Sequence, residues 1–332
     1  GYIARKIKES LVWYTSIPFM VHMIRFVNSI LLARILSPSD FGVIGIVTVI
    51  LYYCDSYTDL GFGKAIIQRS EISKGHFVSY FSFNILVSAA FFIIMQLFSH
   101  EFESFFDIED LADAISMYSY LFLITACAAG PRIKLKRQLR YKILAISEGV
   151  KISISIQISL LLAIDGHGFW SFIYATLISN TVVMLMLMYY SRVLPVFNLK
   201  LGYLKDLYTF GIWDFVGSQF GLISQIADKL IIGKLLGASA LGFYDKALGL
   251  ASMPNDQITS RVGQISFSSF SRIRDDKDEL ERYFFKMTTL CTVILVPMLF
   301  GLIWVAELFV LVLLGEKWLP IVPVLKIFAL SY

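Results

Sequence analysis

The sequence has little charge for its length. Asp, Glu, Lys and Arg make up 16% of the 332 residues, whereas apolar residues make up 57%. Soluble domains of ordinary composition carry roughly 25% charged residues, and a chain of this size cannot hide so much apolar surface in a water-soluble core. The composition therefore excludes an ordinary soluble protein and predicts that lipid is the solvent for much of the chain.

Residues that carry redox, metal or nucleotide chemistry are also scarce. Cys54, Cys127 and Cys291 each lie in a long apolar stretch and lack the spacing of a disulfide framework or metal site. The four histidines are scattered, and the sequence has no phosphate-binding loop, zinc signature or nucleophile elbow. We therefore expect neither an enzyme nor an ATP-driven pump, and neither a cofactor nor a nucleic-acid partner. If the protein moves a solute, the energy must come from a Na⁺ or H⁺ gradient, the membrane potential or consumption of the product.

Long apolar segments recur along the whole chain. A helix needs about 20 mostly apolar residues to cross the hydrocarbon core. By this measure the sequence predicts an all-α integral membrane protein with about ten spans. The predicted spans are Leu11–Ile35, Phe41–Leu60, Phe77–Ser99, Ala114–Pro131, Ala145–Ile164, Phe169–Ser191, Tyr208–Leu236, Leu241–Ile258, Met287–Ala306 and a tenth beginning near Trp318.

Positive charge alternates between the predicted loops. The segment from Arg132 to Lys142, after the fourth predicted span, contains six Lys or Arg residues. By contrast, residues 100–113 after the third span contain none, and the loop after the fifth is only Asp165–Gly168. Because Lys and Arg concentrate in cytoplasmic loops, the sequence predicts a multi-pass membrane protein with a cytoplasmic N-terminus.

The sequence contains an internal repeat. Residues 31–42 and 231–242 align without gaps at an offset of 200. Six predicted spans separate the two copies, and an even number means that both copies run in the same direction through the membrane. Such a parallel repeat is typical of transporters built from two similar halves. We therefore expect two helical lobes, residues 1–200 and 201–332, around a central cavity.

The turn in the first copy of the repeat carries helix-start signals. Ser37 can cap the following helix, Pro38 suits its first position, and Asp40 lies where the acid of a capping box is expected. The second copy lacks this chemistry and has Gly237 in place of Ser37. The sequence therefore predicts a structural role for the first turn.

The first and seventh predicted spans carry matching polar stripes. At the repeat offset Arg25 aligns with Gln225, and Asn28 aligns with Asp228. Ionisable residues within a span are costly and usually face a cavity or a partner, so two matching stripes predict a hydrated cavity between the lobes. The candidate substrate-binding residues of this cavity are His22, Arg25, Asn28, Asp214, Gln225, Asp228, Lys229 and Lys246.

Arg25 is the leading candidate for contact with an anionic headgroup. Its guanidinium stays charged and presents several donors to phosphate. The alternative is a structural ion pair between Arg25 and a neighbouring acid such as Asp55 or Asp59. Glu148 and Lys151, three residues apart, are expected to form a local ion pair of their own.

Three segments resemble a known family. Leu32–Gly42 and Asp59–Arg69 resemble the opening segments of bacterial polysaccharide transporters, and Gly315–Pro320 is similar to a segment before the tenth span of that family. These are the Wzx-type flippases of the multidrug/oligosaccharidyl-lipid/polysaccharide (MOP) superfamily, with WzxC-like exporters as the most similar subgroup.

The resemblance implies a function and a substrate. It implies flipping of an undecaprenyl-pyrophosphate-linked oligosaccharide for exopolysaccharide or lipopolysaccharide synthesis, with Arg25 contacting the pyrophosphate. A polysaccharide polymerase and glycosyltransferases are the expected partners. Because family members have more spans than this chain, we expect a fragment that lacks the end of its second lobe. Two alternatives stay open: a cation-coupled exporter of small amphiphiles, with Asp214 and Asp228 binding the ion, and a non-transporting scaffold for polysaccharide assembly.

Overall fold

The described residues fold mainly into helices. The computed structural model describes residues 21, 23–69, 71–193, 197–273 and 277–332, without the side chains of residues 207–214, 260–261, 263–273 and 277. No strand occurs in these residues, which confirms the all-α prediction. The helices are α1 (23–35), α2 (Pro38–Asp59), α3 (Phe62–Gln68), α4 (Lys74–Phe106), α5 (Leu111–Tyr118), α6 (Tyr120–Arg137), α7 (Tyr141–Ile164), α8 (Trp170–Ser191), α9 (Leu201–Ile273), α10 (Lys277–Leu313), a 3₁₀ helix (Glu316–Ile321) and α11 (Val322–Ser331).

Six helical segments in the described residues are long and apolar enough to cross a membrane, judged by length and composition alone. They are Pro38–Asp59, Lys74–Phe106, Leu111–Arg137, Tyr141–Ile164, Trp170–Ser191 and Asp278–Leu313. These segments correspond to the second to sixth and the ninth predicted spans. The seventh and eighth predicted spans lie on the two parts of α9, and the tenth corresponds to the 3₁₀ helix and α11. Much of the first predicted span lies outside the described residues.

Several helices extend beyond their predicted ends. Helix α4 continues to Phe106 instead of ending near Ser99. Helix α6 continues through Pro131 to Arg137, so the basic residues predicted to begin a loop occupy its last turns. Basic side chains stabilise the negative end of the helix dipole. They also reach the membrane surface from within a helix, so charge in the sequence did not mark the helix end.

The two copies of the repeat interrupt the helix at the same aligned position by different means. In the first copy Ser37 Oγ accepts a hydrogen bond from the Asp40 backbone N–H at 3.1 Å, and Asp40 Oδ2 accepts from the Ser37 N–H at 2.8 Å. This confirms the predicted capping box. In the second copy α9 breaks at Gly237, whose φ of 80° and ψ of 178° favour glycine.

Two further contacts hold the first turn in place. The other oxygen of the capping acid, Asp40 Oδ1, accepts a hydrogen bond from the Phe169 backbone N–H at 2.9 Å, beside the start of α8. Gly42 lies so close to the Ala238 backbone that a Cβ at position 42 would overlap it. The start of α2 is therefore packed directly against backbone and tolerates little added volume.

The chain divides into two compact units, residues 1–239 and 240–332. In the first unit, part of the core is formed by buried residues of α3, α4 and α6 together with Leu204 of α9. In the second unit, Trp318 is fully buried and its ring packs edge-on against Phe243, with 5.9 Å between the ring centroids. The predicted division into lobes after residue 200 stays a prediction.

Candidate functional site

Charged side chains gather around a cavity inside the first unit. Asp55 and Asp59 are four residues apart on α2 and therefore lie on the same face of that helix. They face a cavity of about 420 Å³ that is also lined by residues of α3, α4, α6, α7 and α8. We call it the charged cavity, and its charged lining residues are Asp55, Asp59, Lys64, Arg132, Lys136 and Lys151.

Neutral groups hold the two carboxylates of the charged cavity. Asp59 Oδ1 accepts a hydrogen bond from the Gly63 backbone N–H at 2.9 Å, and the Tyr80 hydroxyl also hydrogen-bonds this carboxylate. Tyr80 is only 2% exposed, so Asp59 provides the acceptor that its buried hydroxyl needs. Asp55 Oδ1 lies 3.4 Å from the donating Thr125 hydroxyl. The acids are therefore anchored by backbone, hydroxyl and phenol donors.

The basic side chains of the charged cavity have a different environment. Arg132 and Lys136 lie on α6, and Lys151 lies on α7. Within the described residues, none of these three side chains forms a hydrogen bond or a close ion pair, but their charges act at longer range on Asp55, Asp59 and Glu148, respectively. Lys64 is a fourth base of the lining, and both Lys64 and Arg132 are exposed, so solvent reaches the basic side of the cavity.

Arg25 forms an ion pair, but with a different acid from those expected. Its Nη2 lies 3.1 Å from Glu148 Oε1, and about half of each side chain is exposed. Asp55 or Asp59 was the wrong choice of partner, because these acids lie on α2 and bind the donors described above. The expected pairing of Glu148 with Lys151 is replaced by this contact, and Lys151 lines the charged cavity instead. The role of Arg25 in substrate binding stays a prediction.

The other described members of the predicted set have different surroundings. Asn28 Oδ1 is buried without a hydrogen-bond partner in the described part of the chain. Gln225 is exposed, and Asp228 Oδ1 accepts a hydrogen bond from the neighbouring Lys229 backbone N–H at 2.8 Å. Lys246 belongs to the second unit and is 8% exposed, with Nζ 5.7 Å from the centroid of the Trp318 ring.

Two members of the predicted set cannot be placed. His22 and the side chain of Asp214 lie outside the described residues. None of the described members of the set lines the charged cavity. The predicted grouping of these residues in one site therefore stays a prediction.

A second, larger depression in the first unit is apolar. It has a volume of about 930 Å³, and we call it the apolar groove. Its lining comes from α2, α4 and the part of α9 before Gly237, with Phe98, Phe102, Phe105 and Phe106 among its aromatic residues. Lys234 also lines it: its ammonium group donates to the Phe105 carbonyl oxygen and lies 4.8 Å from the centroid of the Phe105 ring.

The charged cavity was missed at the level of the sequence, although part of its signal was present. Asp55 and Asp59 interrupt an apolar span at a spacing of four, and Arg132 and Lys136 repeat that spacing. Each pair occupies one face of its helix. From the sequence we expected the two bases in a loop, so their position beside the acids in one cavity was not foreseen.

The fold is shared with a class of membrane transporters. A solved multidrug-resistance MATE-family transporter of the MOP superfamily superposes with a TM-score of 0.66 at 12% sequence identity. The match covers 95% of this chain and 80% of the transporter. At this level of identity the likeness defines the fold. Together with the six apolar helices, it identifies a multi-pass membrane protein.

The chain belongs to the polysaccharide biosynthesis protein family, whose model matches residues 31–323. It is 26% identical over 311 residues to the lipopolysaccharide biosynthesis protein WzxC of Escherichia coli, covering 91% of this chain. It is 28% identical over 313 residues to the succinoglycan biosynthesis transport protein ExoT of Rhizobium meliloti, covering 93% of this chain. The chain spans 62% of the length of each relative. The resemblance to polysaccharide flippases is therefore confirmed at the level of the family.

Proposed function

We propose that this protein moves undecaprenyl-pyrophosphate-linked oligosaccharide units across the bacterial inner membrane by alternating access. The observation that carries the proposal is the family match over residues 31–323, together with relatives named for lipopolysaccharide biosynthesis and succinoglycan transport. The product would enter exopolysaccharide or lipopolysaccharide synthesis, with a polymerase and glycosyltransferases as partners. The protein would catalyse no covalent step, and a Na⁺ or H⁺ gradient or the membrane potential would drive transport.

The orientation in this proposal follows from the charge distribution. We infer a cytoplasmic N-terminus, because this orientation puts the basic segment from Arg132 to Lys142 at the cytoplasmic side of the membrane, where Lys and Arg concentrate. The loop Asp165–Gly168 consequently faces the periplasm. The lipid-linked sugar would be taken up from the leaflet where it is made and released on the opposite side.

Arg25 remains the proposed contact for the pyrophosphate. Its ion pair with Glu148 uses one terminal nitrogen, and the half-exposed guanidinium has further donors that can bind phosphate oxygens. In this arrangement Glu148 orients Arg25. The same geometry would also serve a purely structural ion pair, so the experiment must separate these two roles.

A charge swap at this ion pair tests the role of Arg25. In a flippase-null strain complemented with the full-length gene, Arg25→Ala should abolish polymer export, and Arg25→Lys should retain part of it. The double variant Arg25→Glu with Glu148→Arg restores an ion pair but moves the cation to α7. Export should stay lost in this variant if Arg25 binds the substrate, provided that immunoblots show normal membrane levels. Full export by Arg25→Ala or by the swap would contradict the assignment.

Reconstituted transport separates the three functions under consideration. Proteoliposomes containing the full-length protein should translocate a fluorescent lipid-linked oligosaccharide if the flippase proposal holds. A cation-coupled exporter would instead move small cationic amphiphiles in response to a Na⁺ gradient, with Asp214 and Asp228 required. A scaffold would move neither substrate. Failure to translocate the lipid-linked sugar under any gradient would reject the flippase proposal.

A further inference from the structure

A surface pocket lies where the ends of three helices of the first unit meet. Helix α6 ends at Arg137, α7 begins at Tyr141 and α8 ends at Ser191. The pocket has a volume of about 540 Å³, within the range of about 300–1,000 Å³ that is usual for small-ligand sites. It shares no lining residue with the charged cavity. We call it the basic pocket, and its lining includes Lys134, Gln138, Arg140, Tyr189, Tyr190 and Arg192.

The basic pocket carries a net positive charge. Its three bases are Lys134 of α6, Arg140 before α7 and Arg192 after α8, and its described lining residues include no Asp or Glu. The carbonyl ends of α6 and α8 oppose these bases with about half a negative charge each. Three full charges outweigh two half charges, so the pocket keeps an excess of about two positive charges. Bases that only neutralised the two helix ends would leave no such excess.

One base of the pocket is held in place beside the start of a helix. Arg140 Nη1 donates to the Tyr190 backbone carbonyl at 3.0 Å, which ties the turn before α7 to the end of α8. A guanidinium has further donors that can bind a ligand. Arg140 is also the N-cap residue of α7, and no side chain of the described residues caps this helix start. The first N–H groups of a helix attract anions, so the start of α7 adds to the attraction of the bases.

Exposed aromatic and apolar side chains surround the basic pocket. Tyr189 is 79% exposed and Leu139 is 74% exposed, and Tyr141 is exposed as well. Tyrosine is enriched at membrane–water interfaces, where its ring contacts the acyl region and its hydroxyl contacts the headgroups. An exposed leucine at the same level gains from contact with acyl chains and not from contact with water. These side chains therefore indicate that the pocket opens at the level of the lipid headgroups.

We propose that the basic pocket binds the headgroup of an anionic phospholipid built on phosphatidylglycerol. Basic pockets between the cytoplasmic ends of membrane-spanning helices suit such headgroups. The phosphate lies between Arg140 and Arg192, where planar guanidinium groups match its oxygens, and Lys134 adds a third charge. Gln138 offers both a donor and an acceptor to glycerol hydroxyls. The assignment to the cytoplasmic leaflet rests on the proposed orientation, whereas the chemistry of the pocket does not.

A bound headgroup would connect three helix ends. In the described residues the turn before α7 and the end of α8 are joined by the hydrogen bond from Arg140 to the Tyr190 carbonyl. A phosphate held by Lys134, Arg140 and Arg192 would add α6 to this connection. The lipid would therefore act as a structural ligand of the first unit.

Lipid retention by the purified full-length protein tests this site. The protein is placed in phosphatidylcholine nanodiscs that contain a minor fraction of phosphatidylglycerol, and native mass spectrometry counts the lipids that stay bound. The wild type should retain phosphatidylglycerol in excess of its share of the bilayer. Lys134→Gln and Arg192→Gln should each lower this enrichment about fivefold, and the double variant about 25-fold, because each change removes one base from an anionic surface. Both variants leave the hydrogen bond of Arg140 in place.

Two further variants control the measurement. Lys142→Gln removes an exposed base near the start of α7 that does not line the pocket, and it should retain phosphatidylglycerol as the wild type does. Arg192→Lys keeps the charge and should keep most of the enrichment, which separates loss of charge from loss of folding. No enrichment by the wild type would overturn the proposal and leave the pocket to a soluble or protein anion. Wild-type enrichment in the double variant, or an equal loss in Lys142→Gln, would overturn it as well. Retention is measured without transport, so this proposal and the flippase proposal fail independently.

Discussion

Helix α2 contributes to two cavities of opposite character. Near its C-terminal end, Asp55 and Asp59 face the charged cavity of about 420 Å³. Earlier in the same helix, Val49 and Ile50 line the apolar groove of about 930 Å³. Polar groups inside a membrane bundle need partners, whereas apolar groups need only packing or lipid. An apolar helix can therefore carry charged residues where neighbouring helices supply hydrogen-bond donors.

The largest effect on stability should follow from placing a charge in the apolar groove. Val49 is 6% exposed, and Lys234, a base in the lining of the groove, is already engaged with the Phe105 carbonyl and ring. Val49→Asp should lower the free energy of unfolding by roughly 2.5–3.5 kcal/mol, the cost of an acid at the centre of a spanning helix. Detergent-denaturation titrations of the purified protein measure this change. Val49→Ala, which adds no charge, is the control, and an equal loss in both variants would contradict the prediction.

A smaller loss of stability should follow from removing a carboxylate from the charged cavity. Asp59→Leu deprives the Gly63 N–H and the buried Tyr80 hydroxyl of their acceptor. An unsatisfied buried donor costs about 1–3 kcal/mol, so the free energy of unfolding should fall by about that amount. The same titration measures it. Asp59→Asn retains a side-chain oxygen and should lose less; if both variants lose the same, the hydrogen bonds are not the cause.

The smallest effect concerns the basic residue of the groove. Lys234 binds the Phe105 carbonyl and ring, so Lys234→Met should cost about 0.5–1 kcal/mol. Lys234→Arg keeps the charge and places there the residue found at the aligned position 34 of the repeat. It should therefore keep most of the stability in a thermal-unfolding assay. A loss in Lys234→Arg as large as that in Lys234→Met would show that the cation is not what stabilises this contact.

Patterns within single helices could be predicted from the sequence. Apolar length predicted the second to sixth and the ninth spans, and local chemistry predicted the capping box of Ser37 and Asp40. The internal repeat pointed to a second turn at the position aligned with Ser37, and α9 does break there, at Gly237. These features depend on residues close together in the chain, where hydrophobicity and hydrogen-bond geometry act directly.

Contacts between distant helices could not be predicted in the same way. Arg25 and Glu148 are 123 positions apart, and no local rule prefers Glu148 over Asp55 or Asp59 as the partner. The charged cavity joins residues of six helices, whose rotations are set by packing that a single sequence does not reveal. Charge alone also failed to mark the end of α6, because basic residues are stable in its last turns. The sequence therefore identified charged candidates but not their assembly.

The carboxylate of Asp40 connects the beginnings of α2 and α8 in the first unit. Both oxygens of Asp40 are engaged, one with Ser37 and the other with the Phe169 backbone, so the beginnings of α2 and α8 are fastened to each other. During a transport cycle these two helix ends would travel as one piece. The distance between spectroscopic labels at their first turns should therefore stay constant, and displacements of other helices could be measured relative to this pair.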